Sequence, residues 1–224
     1  MNNPDLLLNE RKYKRSENLE SLNMFKGQLY ETIVTTQDSS FNKNAAPIGV
    51  ICKDSKHIVI YLNNCKNTQN NIIENGELIV NITKDPLTFT YSTIGNLKEE
   101  YFDEYNGFPV LKDNLGFFKA NVIKIRETKR ENDANDIGHV VTCKIEDIYA
   151  RECNGIIPLN RAMNAVIESL VYYCRFDGKY KDKQKEIWAH MKELNRVCQK
   201  VGNKKEKESM KIIMKKMKEN YSLE

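Results

Sequence analysis

Long apolar runs are absent from this 224-residue chain. A membrane-spanning helix needs roughly 20 consecutive apolar residues, whereas the opening run Leu6-Leu7-Leu8 is followed at once by Asn9 and Glu10. The same interruption argues against a secretion signal. We therefore expect a cytoplasmic protein with no membrane partner.

Metal-binding patterns are also missing. The six cysteines include no pair with C-x-x-C spacing, and the three histidines, His57, His139 and His190, are widely scattered. Zinc and iron–sulfur sites usually show closely spaced ligands of these types, and disulfides are uncommon in a reducing compartment. The sequence predicts free thiols and no metal site.

Positive charge exceeds negative charge only slightly, and the net charge of the chain is +4. Much of the excess falls near the C-terminus, in Lys204, Lys205, Lys207, Lys211, Lys215, Lys216 and Lys218. Such lysines can contact RNA phosphates. Glutamates dilute this row, however, and no aromatic platform is interleaved with it, so we do not expect nucleic acid as a partner.

Runs of β-branched and aromatic residues predict antiparallel strands in the middle of the chain. The predicted strands cover Tyr30–Thr36, Ala45–Ile51, Ile58–Leu62, Glu77–Thr83, Phe117–Arg126 and His139–Arg151. A short helix is predicted between Lys66 and Gly76, where Asn67 or Thr68 can cap its start. The Pro86 to Leu115 region predicts mixed loops and one helical turn.

The two ends of the chain differ from this middle part. Residues 1–21 carry many charges and few apolar anchors, which predicts a mobile lead or a short exposed helix. After Pro158, apolar residues recur at steps of three and four, as in amphipathic helices. The predicted organisation is therefore a lead (1–21), a β domain (22–154) and a helical extension (155–224) whose apolar stripes cover the barrel or a second subunit.

A candidate phosphate-binding segment opens the predicted short helix. Backbone N–H groups at a helix start lack intrahelical partners, and the helix dipole favours an anion there. Lys66 adds an ammonium, Thr68 a hydroxyl and Asn71 an amide on the adjacent turn. The alternative is that this Asn-rich stretch merely caps a surface helix.

A candidate site for a flat heterocycle surrounds Pro47. Proline lacks an N–H and belongs at a strand edge or bulge, and Gly49 permits close approach by a ligand or another backbone. Asn44 offers both a donor and an acceptor to a heterocycle with alternating polar groups. The alternative is an edge strand blunted by proline against aggregation.

These segments occur in order: the E-T-I-V-T-T strand, N-A-A-P-I-G, the K-N-T-x-x-N-I helix start and the E-L-I-V-N strand that ends at Asn81. In this order the chain resembles the flavin reductase-like, FMN-binding split-barrel superfamily, which includes the flavoredoxins. It is most similar to an archaeal branch in which helices resembling Asn160–Glu168 follow the barrel. The resemblance implies an α+β, mainly β fold: an antiparallel split β-barrel with a C-terminal helical extension.

The same resemblance implies flavin mononucleotide (FMN) as cofactor, bound near the interface of a homodimer. The K-x-T-x-x-N segment of this chain would hold the FMN phosphate through Lys66, Thr68 and Asn71. Asn67 lies between Lys66 and Thr68 and belongs to the same expected site. Family members often have Lys-Asp-Thr here, so Asn67 removes a carboxylate and can alter the capping geometry. The residues expected to surround the ring are Thr35, Thr36, Asn44, Ala46, Pro47 and Ile48, with Asn81 beneath the site.

The resemblance further implies transfer of hydride or electrons between a reduced nicotinamide or deazaflavin donor and an acceptor. Because flavin itself accepts the hydride, no side chain is expected to act as a catalytic acid or base. The alternative function is a non-catalytic FMN-binding module whose helices recruit a protein partner. Arg161 and Asn164 are weaker candidates, which either turn toward the cofactor or the dimer contact or remain solvated surface.

Overall fold

The computed structural model describes residues 5–8, 11–62, 66–95, 97–130, 133–152, 155–176 and 183–221. The chain forms two compact units, Met1–Leu159 and Asn160–Glu224. The division falls after Leu159, five residues later than the predicted boundary, because Leu159 still pairs with Glu31 as part of the first unit.

Strands dominate the first unit. Their bounds are β1 (Asp5–Leu8), β2 (Arg11–Ser16), β3 (Leu29–Gln37), β4 (Lys43–Cys52), β5 (His57–Leu62), β6 (Glu77–Ile82), β7 (Phe102–Tyr105), β8 (Phe108–Leu111), β9 (Gly116–Arg130) and β10 (Asp133–Arg151). Two helices belong to the same unit, α1 (Lys66–Asn75) and α2 (Pro86–Ile94).

Six antiparallel strands close into a barrel in the order β3, β4, β5, β10, β9 and β6, with β6 pairing again with β3. Alternate side chains of these strands point inward. Val34, Val50 and Ile60 are among those that form the buried core of the barrel. The predicted fold, mainly β with an antiparallel barrel followed by helices, is confirmed.

The segment before the barrel corrects the predicted mobile lead. β1 and β2 form a hairpin, and β2 pairs with β10 from Tyr13 to Ser16. Tyr13, Leu19 and Leu22 are buried. Lys12 and Lys14 are exposed, whereas Arg11 and Arg15 lie on the same face as Tyr13. A single buried tyrosine, packed with Phe117, therefore anchors a segment that looks polar in the sequence.

The region predicted as mixed loops is more regular than expected. α2 begins after Asp85, whose carboxylate accepts hydrogen bonds from the backbone N–H groups of Leu87 and Thr88. The β7–β8 hairpin follows and packs on the outer face of β3 and β6, where Val110 and Leu111 are buried. The hairpin therefore covers the barrel wall at Ile33 and Ile79.

The second unit consists of α3 (Arg161–Arg175), α4 (Gln184–Val201) and α5 (Lys204–Tyr221), which pack against one another. The predicted three amphipathic helices are thus present. Their buried residues include Val166, Met191 and Met210. No helix in the described ranges is both long and apolar enough to cross a membrane.

Four cysteines, Cys52, Cys143, Cys174 and Cys198, are free thiols. Cys65 and Cys153 lie outside the described residues. Within the part of the chain that the structure describes, no three His, Cys, Asp or Glu side chains cluster as metal ligands would.

Candidate functional site

A polar cluster lies at the end of the barrel where β3 finishes and β4 starts. Thr36 and Asn44 are opposite each other in the β3–β4 ladder. α1 lies over this end of the barrel and buries Ile72 in the core. Because Thr68 and Asn71 are on the inward side of α1, they meet Thr36 and Asn44.

Three hydrogen bonds join these four residues. The Asn44 Nδ2 donates to Thr68 Oγ1 at 2.9 Å and to Thr36 Oγ1 at 3.2 Å. The Asn71 Nδ2 donates to the same Thr36 oxygen at 3.0 Å. Thr36, Thr68 and Asn71 are buried, whereas Asn44 is half-buried. Four of the residues predicted to bind the cofactor therefore form one network.

The N-terminus of α1 emerges from this network toward solvent. Lys66 and Asn67 are exposed at the first two positions of the helix. The Lys66 ammonium makes no ion pair with any described residue, and the first turn of α1 contains no acidic side chain. Helix N–H groups, the ammonium and the Thr68 hydroxyl are donors of the kind that a phosphate group requires.

An open strand edge begins beside the same network. β4 pairs with β3 along nearly its whole length, from Lys43 to Ile51. Within the described residues, its pairing with β5 covers only Val50–Cys52. No described strand is paired with residues 43–49 on that side, and an edge of this kind offers donors and acceptors to a ligand.

The three apolar residues predicted near the ring lie along this edge. Ala46 is half-buried and packs against the barrel core, and Ile48 is buried in that core. Pro47 is half-buried and has the opposite parity, so its ring points away from the barrel interior. The backbone of Ala46, Pro47 and Ile48 therefore lies at the open edge. Their side chains do not share one surface, because Pro47 points away from the other two.

Thr35 and Asn81 lie on the other face of the sheet. Because side chains alternate along a strand, Thr35 points away from Thr36, and its hydroxyl donates to the Pro109 carbonyl. The Asn81 Nδ2 donates to the Thr35 Oγ1 at 3.0 Å, and its Oδ1 accepts from the Leu111 N–H at 2.9 Å. These two buried side chains fasten the β7–β8 hairpin and are separated from the network by the sheet.

Sequence reasoning missed two side chains that brace this end of the barrel. The Asn75 Nδ2 donates to the Gln37 carbonyl at 2.7 Å, and the Gln37 Nε2 donates to the Gly107 carbonyl at 2.8 Å. They tie α1, the end of β3 and the β7–β8 turn together. No local pattern marks either residue. Arg161 and Asn164, the weaker candidates, are exposed in the first turns of α3.

Two family models match the chain. The model described as "Protein of unknown function (DUF447) N-terminal domain" matches residues 30–150, and "Protein of unknown function (DUF447)" matches residues 160–215. The chain belongs to the DUF447 family. The two matched segments of this DUF447 protein coincide with the barrel and with the three C-terminal helices.

Two relatives extend this assignment. The uncharacterized protein MJ1453 of Methanocaldococcus jannaschii is 27% identical over 190 residues, which cover 83% of this chain and 96% of that protein. The crystal structure of the FMN-bound DUF447 protein MM1853 of Methanosarcina mazei is similar with a TM-score of 0.52 and 25% identity, covering 88% of this chain and 99% of that one. The predicted resemblance to an archaeal FMN-binding branch is confirmed.

Proposed function

We propose that this DUF447 protein binds FMN where the start of α1 meets the open edge of β4. The observation that carries the proposal is the hydrogen-bonded network of Thr36, Asn44, Thr68 and Asn71, which joins those two features. The FMN-bound relative from Methanosarcina mazei supports FMN as the ligand.

The start of α1 fits the phosphate. A phosphate group has several oxygens that accept hydrogen bonds. Donors for them are available at the positive end of the helix dipole, from the helix N–H groups, the Lys66 ammonium and the Thr68 hydroxyl. The side chain of Asn67 is neutral and therefore adds no carboxylate that would repel the phosphate. Asn67 is exposed, so its amide is accessible as a further donor.

The open edge of β4 fits the ring. The pyrimidine side of a flavin carries alternating donors and acceptors, which match backbone N–H and C=O groups along residues 43–49. Bound FMN supplies the capacity to take up and release hydride or single electrons. The chain supplies binding and orientation, and we assign no side chain the role of acid or base.

The direct test is flavin uptake by the purified full-length chain. We expect a flavin absorbance spectrum after reconstitution with FMN and removal of free ligand, and tighter binding of FMN than of riboflavin, which lacks the phosphate. A protein that stays colourless and quenches no flavin fluorescence contradicts the proposal.

We further propose that the bound flavin passes hydride or electrons from a reduced nicotinamide or a reduced deazaflavin to an acceptor. Steady-state oxidation of either donor by the FMN-loaded protein tests this. The second candidate is a non-catalytic FMN module that recruits a protein partner, which is favoured by Met163, Ile167 and Leu170, large apolar residues exposed on α3. Tight FMN binding without turnover of either donor would select this second function.

We also propose a homodimer. The edge residues from Asn44 to Pro47 are half-buried and pair with no described strand on the β5 side, which a second copy would cover. Light scattering should give twice the mass of the 26.1 kDa chain. A monomer that binds FMN tightly would refute the dimer and leave the FMN proposal intact.

A further inference from the structure

The buried hydroxyl of Thr36 is the hub of the polar network. It accepts N–H bonds from both Asn44 and Asn71, at 3.2 and 3.0 Å. Thr36 is only 1% exposed. We propose that Thr36 is a positioning residue, which acts through Asn44 and Thr68 to make the site select a phosphate monoester, an inference that rests on the proposed FMN function.

Two donors on one hydroxyl oxygen fix the orientation of both amides. A threonine oxygen has two lone pairs, and here each accepts one amide N–H. The nitrogen of Asn44 is therefore held toward the interior. Its second N–H is directed at Thr68 Oγ1, 2.9 Å away.

This arrangement decides what Thr68 presents to a ligand. Because its oxygen accepts from Asn44, its own proton is left to be donated, and the described ranges contain no acceptor bonded to it. Thr68 stands in the first turn of α1 beside Lys66, so an oxygen of a phosphate placed there would accept its proton.

Thr36 thereby controls phosphate recognition without contacting the phosphate. Both of its lone pairs are occupied, and two side chains separate it from the exposed start of α1. Removal of its hydroxyl should free the Asn44 amide to rotate and so lose the directed Thr68 proton. Ring binding at the open edge of β4 uses backbone groups and should not depend on this relay.

The test compares FMN with riboflavin, which carries the same ring and ribityl chain without the phosphate. Dissociation constants are measured by quenching of flavin fluorescence with the full-length chain and its Thr36→Val variant, which keeps the side-chain shape and loses the hydroxyl. We expect the preference for FMN over riboflavin to fall about tenfold, the effect of one hydrogen bond to a charged group. Thr36→Ser should restore it.

Thr32→Val is the matched control. Thr32 lies on the same strand with the same parity, and its buried hydroxyl donates to the Ile48 carbonyl at 2.9 Å. This variant should lose stability and keep the preference for FMN. If Thr36→Val does not fold, Thr36→Ala gives the same measurement with less steric demand.

The outcomes separate this inference from the proposed function. An unchanged preference in Thr36→Val, or equal weakening of FMN and riboflavin, overturns the positioning role while FMN binding stands. A wild-type chain that binds neither flavin overturns the proposed function and the inference with it.

Discussion

Asn44 and Thr68 are 24 residues apart in the sequence and are joined by a hydrogen bond of 2.9 Å. The bond connects the first turn of α1 to the start of β4. A helix N-terminus suits a phosphate, and an open strand edge suits a heterocycle. Their juxtaposition is the reason why we propose one site for a ligand that contains both groups.

Removal of the Lys66 ammonium should weaken FMN binding through the phosphate alone. We expect Lys66→Ala to raise the FMN dissociation constant roughly fivefold, because an exposed charge contributes about 1 kcal/mol at a helix terminus. The loss should shrink at high salt, since exposed charges are screened. Fluorescence titration at two salt concentrations measures both effects.

Lys56→Ala is the control for this prediction. Lys56 is also exposed but lies in the turn between β4 and β5, at the opposite end of β4. Its replacement should leave FMN affinity unchanged. An equal loss in both variants would indicate a general charge effect and would contradict a specific role of Lys66.

Tyr105 should contribute to the attachment of the β7–β8 hairpin. Its hydroxyl donates to Asp147 Oδ2 at 3.0 Å, and Asp147 also pairs with Arg15. Tyr105→Phe removes the hydrogen bond and keeps the ring among Tyr13, Phe117 and Tyr149. We expect a loss of about 1 kcal/mol in the free energy of unfolding, measured in urea.

The same residue predicts a pH dependence at the alkaline end. Burial, followed by the neighbouring Tyr149 and Asp147, raises the pKa of Tyr105 above its ordinary value of 10.0. The folded chain then keeps a proton that the unfolded chain releases, so this contribution to stability is complete below the ordinary pKa and is lost as the pH rises above it. Wild type should lose more stability than Tyr105→Phe between about pH 9 and 11. Parallel pH curves would contradict this.

Asp85 should stabilise α2 as its N-terminal cap. Asp85→Ala removes the acceptor for the Leu87 and Thr88 N–H groups and should cost about 1 kcal/mol. A hydrogen bond from the Thr88 hydroxyl, together with these backbone donors, lowers the pKa of Asp85 below its ordinary value of 3.8. The stabilisation is therefore present above that value and is lost as the pH falls through the lower folded pKa.

Asp85→Asn is the comparison that isolates this titration, because asparagine caps a helix without ionising. The difference in unfolding free energy between wild type and Asp85→Asn should be constant at neutral pH and should shrink in acid. A difference that does not change with pH would show that the charge of Asp85 makes no contribution.

The thiols should differ sharply in reactivity. Burial raises the pKa of Cys52 and of Cys143 to about 12, so neither forms appreciable thiolate at neutral pH. Cys174 is exposed. Alkylation of the native protein at about pH 8, followed by peptide mass spectrometry, should modify Cys174 well before Cys52 or Cys143. Equal labelling of all three cysteines without denaturant would contradict the burial of Cys52 and Cys143 in the barrel core.

The barrel strands were predictable because their alternation is local. The predicted strand Ile58–Leu62 lies within the observed β5 (His57–Leu62). β2 was missed because its one buried side chain, Tyr13, stands among four charged residues. Its stability comes from pairing with β10, more than 130 residues away in the chain, and no local pattern reports that pairing.

Two other missed elements did carry local signals. Asp85-Pro86 combines a capping residue with proline at the first helical position, a typical helix start. Asn106-Gly107 joins β7 to β8 with both residues at positive φ, 50° and 80°, as a tight hairpin turn requires. Both signals are local, so the sequence alone is sufficient to indicate α2 and the hairpin.

By itself, the sequence determined where most barrel strands and helices form and which segment, Lys66 to Asn71, carries the hydrogen-bond donors that we propose for a phosphate. Periodicity and capping depend on neighbouring residues, so they can be recognised locally. Only the tertiary structure decided which polar side chains share a surface. Barrel closure placed Thr36 with Asn44 and Asn71, whereas strand alternation turned Thr35 to the opposite face, where it is buried with Asn81 beneath the hairpin. Buried polar groups need partners, and those partners come from distant parts of the chain.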